Sequence, residues 1–159
     1  MKKPRLDATD TKILTELQSD GRISNVELAR RVGISPPPCL RRVRALEAAG
    51  FVQGYHAQID NALLGFGVTV FAMVGLHSQA EADLQEFEAR IAKMPEVREC
   101  YMLNGDIDFI LKCVTPDLES FQRFLTEKLT PAPNVANVRT SLSIRKSKPD
   151  AGVAFALIK

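Results

Sequence analysis

At Gly67 the spacing of apolar residues changes from a helical period to an alternation of strand-like and helix-like runs, so the chain reads as two differently built parts. Before that point, Ile13, Leu14 and Leu17 follow a helical spacing behind Asp7-Ala8-Thr9-Asp10, whose acidic and hydroxyl residues suit a helix start. This predicts a helix over Ala8–Ser19, stopped by Asp20-Gly21. Ser24-Asn25-Val26-Glu27 fits a capping box and leads into Val26, Leu28, Ala29 and Val32, predicting a short second helix that ends at Gly33. A third helix is expected from Pro37 or Pro38 to Ala49, closed by Gly50. Pro36, Pro37 and Pro38 cost such a helix little at its start, because its first N–H groups have no intrahelical partner. Each residue before a proline is pushed out of the α region, which leaves either Ser35 or Pro37 as the cap.

Three helices with a short glycine-containing turn between the second and third make a helix-turn-helix. At 100° per residue, Leu40, Val43 and Leu46 fall on one side of the third helix. Arg41 lies nearly opposite, flanked by Arg42 and Arg44, with Ala45, Ala48 and Ala49 between them. Arginines supply charge and alanines leave room, so this face suits close approach to a DNA groove. The prolines remove amide donors from the helix start, so phosphate contacts must come from side chains or from the second helix. Charge points the same way. Residues 1–60 carry ten Lys/Arg against seven Asp/Glu, and 61–159 carry eleven against twelve. Six arginines face only Glu27 and Glu47 between Gly21 and Ala49. A solvated basic helix in a bundle is the plainer alternative.

Phe51–Asp60 alternates apolar and polar residues and predicts a strand, either a wing or a link, and Asn61–Gly67 is the expected boundary. Beyond it come a strand over Val68–Leu76, a helix over Glu81–Met94, and strands over Val97–Leu103 and Ile107–Val114 separated by Asn104-Gly105-Asp106. A helix over Asp117–Leu129 and a strand over Val135–Ile144 complete the set. The order βαββαβ is that of a ferredoxin-like sandwich. The fold class is therefore α+β: a helix-turn-helix domain of winged type over 1–60 and a ferredoxin-like domain over 61–159. The sheet face without helices is expected to be apolar and to bury itself against a second copy.

Catalytic and metal-binding patterns are missing. His56 and His77 stand far apart, and no phosphate-binding glycine loop or nucleophile motif occurs. Cys39, Cys100 and Cys113 are widely spaced and are expected to be buried apolar residues rather than a disulfide or zinc framework. No enzyme activity, cofactor or metal is expected. The charged start Met1–Asp7 lacks the apolar run of a signal peptide and no later segment approaches the length of a membrane span, so a cytoplasmic protein is expected. The hairpin Leu103–Phe109 has two readings. Asn-Gly and aspartates are turn chemistry; a glycine-opened backbone beside carboxylates also suits the two charged groups of an amino acid.

The runs Leu6-Asp7, Asp10, Ile13-Leu14, Asp20–Ala29, Arg31–Ser35, Cys39–Val43 and Gly54-Tyr55, then Gly105-Asp106, Asp108-Phe109 and Val138–Thr140, carry a resemblance to the Lrp/AsnC (leucine-responsive regulatory protein, feast/famine) family of transcriptional regulators. The resemblance covers almost the whole chain. It implies double-stranded DNA as a partner, dimers that assemble to octamers or related discs, and control by an amino acid. The residues it implies for DNA are Arg22, Ser24 and Asn25, then Ser35 and Pro36, and Arg41, Arg42 and Arg44 on the recognition helix Ser35–Ala49. For an effector pocket formed between dimers it implies Leu103, Gly105, Asp106, Asp108, Leu118, Thr140, Ser141 and Ser143.

The leading expectation is a sequence-specific DNA-binding regulator responding to an amino acid. The alternative is an amino-acid-sensing module whose basic helix binds a protein partner.

Overall fold

A computed structural model describes residues 5–148 and 152–157. The remaining parts of the charged start and of the two expected domains lie outside the described residues. Two compact units divide the chain between Gln58 and Ile59, and the segment after Ser147 returns to the first unit. The sequence division at residue 60 put that segment with the sheet. Instead, Phe155 joins the apolar cluster of the helical unit.

In the first unit α1 spans Ala8–Ser19, α2 Asn25–Val32 and α3 Pro36–Ala48. Asp7 and Asp10 form a complete capping box at α1, each side chain accepting from the other residue's N–H. At α2 only half of the expected box is present. Ser24 accepts from the Glu27 N–H at 3.2 Å, while the Glu27 carboxylate is taken by Arg30 and Arg31. Gly33 closes α2 with φ 79°, the left-handed geometry that favours glycine. Ile13, Leu28, Ala29 and Cys39 are buried at the centre of the three helices. The expected strand over Phe51–Asp60 does not form. Its alternation is present, but no neighbouring strand offers it a hydrogen-bond ladder among the described residues.

The second unit contains β1 Val68–Leu76, α4 Glu81–Ile91, β2 Val97–Met102, β3 Phe109–Thr115, α5 Leu118–Phe124 and β4 Val135–Leu142. α5 runs on as a π-helical turn, Leu125–Leu129. The strands stand in the order β2-β3-β1-β4 with every pair antiparallel, the βαββαβ sandwich expected from the sequence. Val70, Ala72 and Val74 of β1 and Phe109, Leu111 and Cys113 of β3 point to the helices. There they pack with Phe87 and Phe124, and Phe87 and Phe109 meet at 4.8 Å between ring centroids. Each buried Val, Leu and Phe among them contributes about 1.5–3 kcal/mol by leaving water.

The opposite face is less apolar than expected. Strand register sets Tyr101, Ile110, Met73 and Arg139 in one row and Glu99, Lys112, Phe71 and Ser141 in the next. On the central strands apolar Phe71, Met73 and Ile110 share the face with Lys112, and the edge strands bring Glu99, Arg139 and Ser141. The Lys112 ammonium donates to Glu99, which also accepts from the Tyr101 hydroxyl. Cys39 and Cys113 are buried as expected, whereas Cys100 is exposed on the edge strand β2.

Candidate functional site

α3 starts at Pro36, ahead of the expected Pro37 or Pro38. Ser35 is the cap residue, extended at φ −76° and ψ 154°, with no capping bond from its side chain. Pro36, Pro37 and Pro38 take the first three helical positions, and the first helical bond runs from the Cys39 N–H to the Ser35 carbonyl at 3.2 Å. Three prolines fit because none of those positions has an N–H that the helix would use. Asn25, at the start of α2, donates from Nδ2 to the Pro36 carbonyl at 2.8 Å and so ties the two helix starts together. Its Oδ1 is buried in the same turn without a partner. Ser24 and Asn25, implied DNA contacts, thus also shape the turn that presents α3.

The buried stripe of α3 runs through Cys39 and Leu46, with Val43 half-buried, and Leu40 is exposed at its margin. This rotates the helix from the expected Leu40–Val43–Leu46 face and turns Arg42 inward. The six arginines therefore separate into two groups. Arg30 grips Glu27 through Nε and Nη2 at 2.8 and 2.7 Å. Arg31 bridges Glu27 to Glu16 of α1 at 2.8 and 3.0 Å. Those bonds, Arg30's first and then Arg31's, hold the Glu27 carboxyl down at about 2. Arg42 donates from Nη1 to Asp7 at 2.6 Å and to Asp10 at 2.7 Å. The Asp10 N–H lowers the Asp7 carboxyl most, and Arg42 adds to it. Arg22, Arg41 and Arg44 make no ion pair with the described residues, and all three are exposed. Asp7 and Asp10 are the pair that a reading of α3 alone misses. Their place at a helix start is visible in sequence, but their bond to a residue more than thirty positions on is not.

In the second unit the loop joining β2 to β3 covers residues 103–108 and is wider than a two-residue turn. Neither Asn104 nor Gly105 has a positive φ, contrary to the role expected of Asn-Gly. The loop is fixed at its ends instead. The Leu103 N–H donates to the Asp108 carbonyl at 2.8 Å and the Asp108 N–H to the Val74 carbonyl at 3.0 Å. Asp108 Oδ2 accepts from the Leu76 N–H at 2.7 Å, where β1 is bulged. Leu103, Gly105 and Asp106 are exposed, and a Cβ at Gly105 would meet nothing within 4 Å.

The other implied effector residues lie elsewhere in the chain. Ser141 stands opposite Phe71, five residues along β1 from Leu76, about 16 Å away at strand spacing. The Ser143 N–H donates to the Thr69 carbonyl, farther still. Leu118 follows the far end of β3, whose length of seven residues is about 20 Å. Thr140 pairs with buried Ala72 and so faces the helix side, while Ser141 faces the other. One chain therefore presents two groups, the 103–108 loop with Asp108 and the Leu118/Ser141/Ser143 end, and does not join them.

Among the described residues no group of three or more His, Cys, Asp or Glu could hold a metal ion, and no helix is long and apolar enough to cross a membrane.

Comparison with known proteins matches both parts of the chain. Residues 6–53 fit the winged helix-turn-helix DNA-binding domain and residues 69–153 the Lrp/AsnC ligand binding domain. The leucine-responsive regulatory protein of Rhizobium meliloti (strain 1021) is 57% identical over 143 residues, covering 90% of this chain and 92% of the relative. Its namesake in Escherichia coli (strain K12) is 43% identical over 143 residues, covering 90% and 87%. A transcriptional regulator from Neisseria meningitidis, solved as a complex with L-Met, superposes with a TM-score of 0.87 at 36% identity, covering 91% of this chain and 94% of that one. With a helix-turn-helix whose outer face carries unpaired arginines, a βαββαβ sandwich behind it in sequence, and these matches along both, the chain belongs to the Lrp/AsnC family of transcriptional regulators.

Proposed function

We propose that this chain is a sequence-specific DNA-binding regulator whose DNA binding or assembly state responds to an amino acid. The observation that carries the DNA half is the separation of the arginines. Arg41 and Arg44 on α3, with Arg22 before α2, have no carboxylate partner among the described residues and are free to meet a nucleic acid. Arg41 and Arg44 are the groove-facing residues in this reading, and Ser35 and Pro36 bring the start of α3 to the duplex. Asn25, Ser24 and Arg42 fix the helix that carries them. Two such helices on a two-fold axis meet major grooves about 34 Å apart, which calls for a pseudo-palindromic operator.

The effector half is supported by the family match, by the L-Met complex of the Neisseria relative and by the leucine-responsive relatives. The two groups of residues that one chain leaves apart are complementary halves in this reading. The 103–108 loop supplies Asp108, Asp106 and open backbone, and a neighbouring copy supplies Leu118, Ser141 and Ser143, Thr140 being turned to the helix side of its strand. Such a pocket requires an assembly of dimers, with Met1–Gln58 and the segment after Ser147 as the DNA-binding part and Ile59–Ser147 as the effector-binding part. A family of regulators rather than enzymes fits the lack of any catalytic constellation.

The test is an amino-acid screen on the intact protein bound to retained genomic DNA, with sedimentation read in parallel. One or a few amino acids shifting DNA affinity or assembly size support the reading. An unchanged affinity and sedimentation profile across all twenty would overturn the effector half.

A further inference from the structure

The helical unit is not finished by its three helices. The segment 152–157 crosses the outside of α1 and is held there at two points. Gln18 donates from Nε2 to the Val153 carbonyl at 2.9 Å and accepts at Oε1 from the Val153 N–H at 2.8 Å, so one side-chain amide takes both backbone groups of one residue. Just before it, Gly152 has φ 70°, and a Cβ there would stand 2.5 Å from Gln18 Oε1. Only glycine meets both demands. Two residues beyond Val153, Phe155 opens a short 3-10 turn and packs against the cluster that includes Ile13 and Leu14.

Between this segment and the helices lies a cleft of about 370 Å³ lined by Leu14, Leu17, Phe51, Val52, Tyr55 and Phe155. Tyr55 leads from the cleft to α3. Its hydroxyl donates to Glu47, near the end of that helix, at 2.9 Å, and its ring stands 3.2 Å from where a Cβ at Gly21 would be. Burial, then the bond to Glu47, pushes the Tyr55 phenol up to about 12, so it remains a donor throughout the physiological range. Phe51 and Tyr55 belong to the stretch that forms no strand, so it is fixed by side-chain packing, by the Phe51 N–H donating to the Leu46 carbonyl at 3.0 Å, and by the Tyr55–Glu47 bond. None of Arg22, Arg41 and Arg44 lines the cleft, so the segment leaves the cationic face uncovered.

We propose that residues 152–157 form a clasp that holds the 51–55 stretch, and through Tyr55 the end of α3, in the arrangement used for DNA binding. The chain leaves the helical unit at Gln58 and re-enters it after Ser147. The clasp is thus also a second covalent connection between the sheet unit and the helical unit. The DNA half of this inference rests on the reading of α3 given above, and the holding of 51–55 does not.

Two variants test it: a chain ending at Lys148, and the full chain with Phe155→Ser. Amide hydrogen exchange is read at 46–55 and, as an internal control for folding, on β1 and β3; DNA affinity is read on retained genomic fragments. In both variants exchange at 46–55 is expected to quicken while β1 and β3 keep their protection. If the competent arrangement falls to about a tenth of molecules, affinity weakens about tenfold. Phe155→Leu should keep both properties. Unchanged exchange at 46–55 in both variants, or quickened exchange with unaltered DNA affinity, overturns the clasp. Should the intact chain retain no DNA, the DNA reading fails, and the exchange result alone decides whether 152–157 holds 51–55.

Discussion

Arg42 reaches from α3 to Asp10 on α1 at 2.7 Å, with Asp7 at 2.6 Å on the same nitrogen. An arginine in a run of three on a recognition helix is therefore a strut inside the helical unit, and its neighbours Arg41 and Arg44 carry the outward charge.

Arg41→Ala and Arg42→Ala should behave differently. Arg41→Ala is expected to cost about 1–3 kcal/mol of DNA affinity, with relaxed specificity at one operator position if it reads a base. The folded state should be untouched. Arg42→Ala should lower the melting temperature of the helical unit, less so at high salt, because the pair is half-exposed and screened. Titration of both variants on one operator, with thermal melts alongside, separates a contact from a strut. Equal melts and equal affinity losses would refute the division.

The helical unit should weaken in acid. Glu27 is held at about 2 against an ordinary 4.5, and Asp7 lies below its ordinary 3.8. For carboxyls lowered by folding, the stabilisation is present in full above the unfolded value. It is lost as pH falls through the folded one. Helical-unit stability should therefore be flat above about pH 5 and decline between roughly pH 4.5 and pH 2. Glu27→Gln should flatten part of that decline, as followed by circular dichroism at fixed temperature.

Much of this fold was legible from local pattern. Asp7, Ser24 and Gly33 mark helix ends with short-range chemistry, and the β-branched and aromatic richness of β1 and β3 is strong enough to name them as strands. Features that depend on distant partners were not legible. Phe51–Asp60 alternates like a strand yet lacks a neighbour to pair with, and 103–108 is pinned through Val74 and Leu76 rather than by its own Asn-Gly. Phe155 sits in a short, unremarkable stretch whose partner, the α1 surface near Gln18, is more than one hundred residues away. At the candidate site the arginine cluster was visible, but which arginines are free was decided by Glu27 in α2 together with Glu16 and Asp10 of α1 and its cap Asp7.

Asp108 should couple effector to DNA without itself touching DNA. Asp108→Ala removes the carboxylate that accepts from Leu76. It is expected to abolish the amino-acid response while DNA affinity without effector changes by less than about twofold. Asp108→Asn keeps an acceptor for the Leu76 N–H and loses the charge. A response kept by Asn but lost by Ala would assign Asp108 to loop geometry; loss in both would assign it to the effector's ammonium.

Phe71 lies on the helix-free face of the sheet between Lys112 and Ser141 and remains 36% exposed. Sedimentation should place the protein well above the 17.6 kDa of one chain. Phe71→Asp, which replaces an apolar ring on that face with a charge, should shift it toward the monomer. A monomer at micromolar concentration in the unaltered protein would contradict the use of this face as an interface.

The central claim is sequence-specific DNA binding through the outer face of α3, and selection of genomic fragments by the purified protein tests it most directly. The selection is run at physiological salt with excess nonspecific competitor, beside the Arg41→Ala variant. Enrichment of a narrow, pseudo-palindromic set by the unaltered protein, weakened in the variant, is the predicted result. Uniform retention of all fragments, or none with and without pooled amino acids, would contradict it.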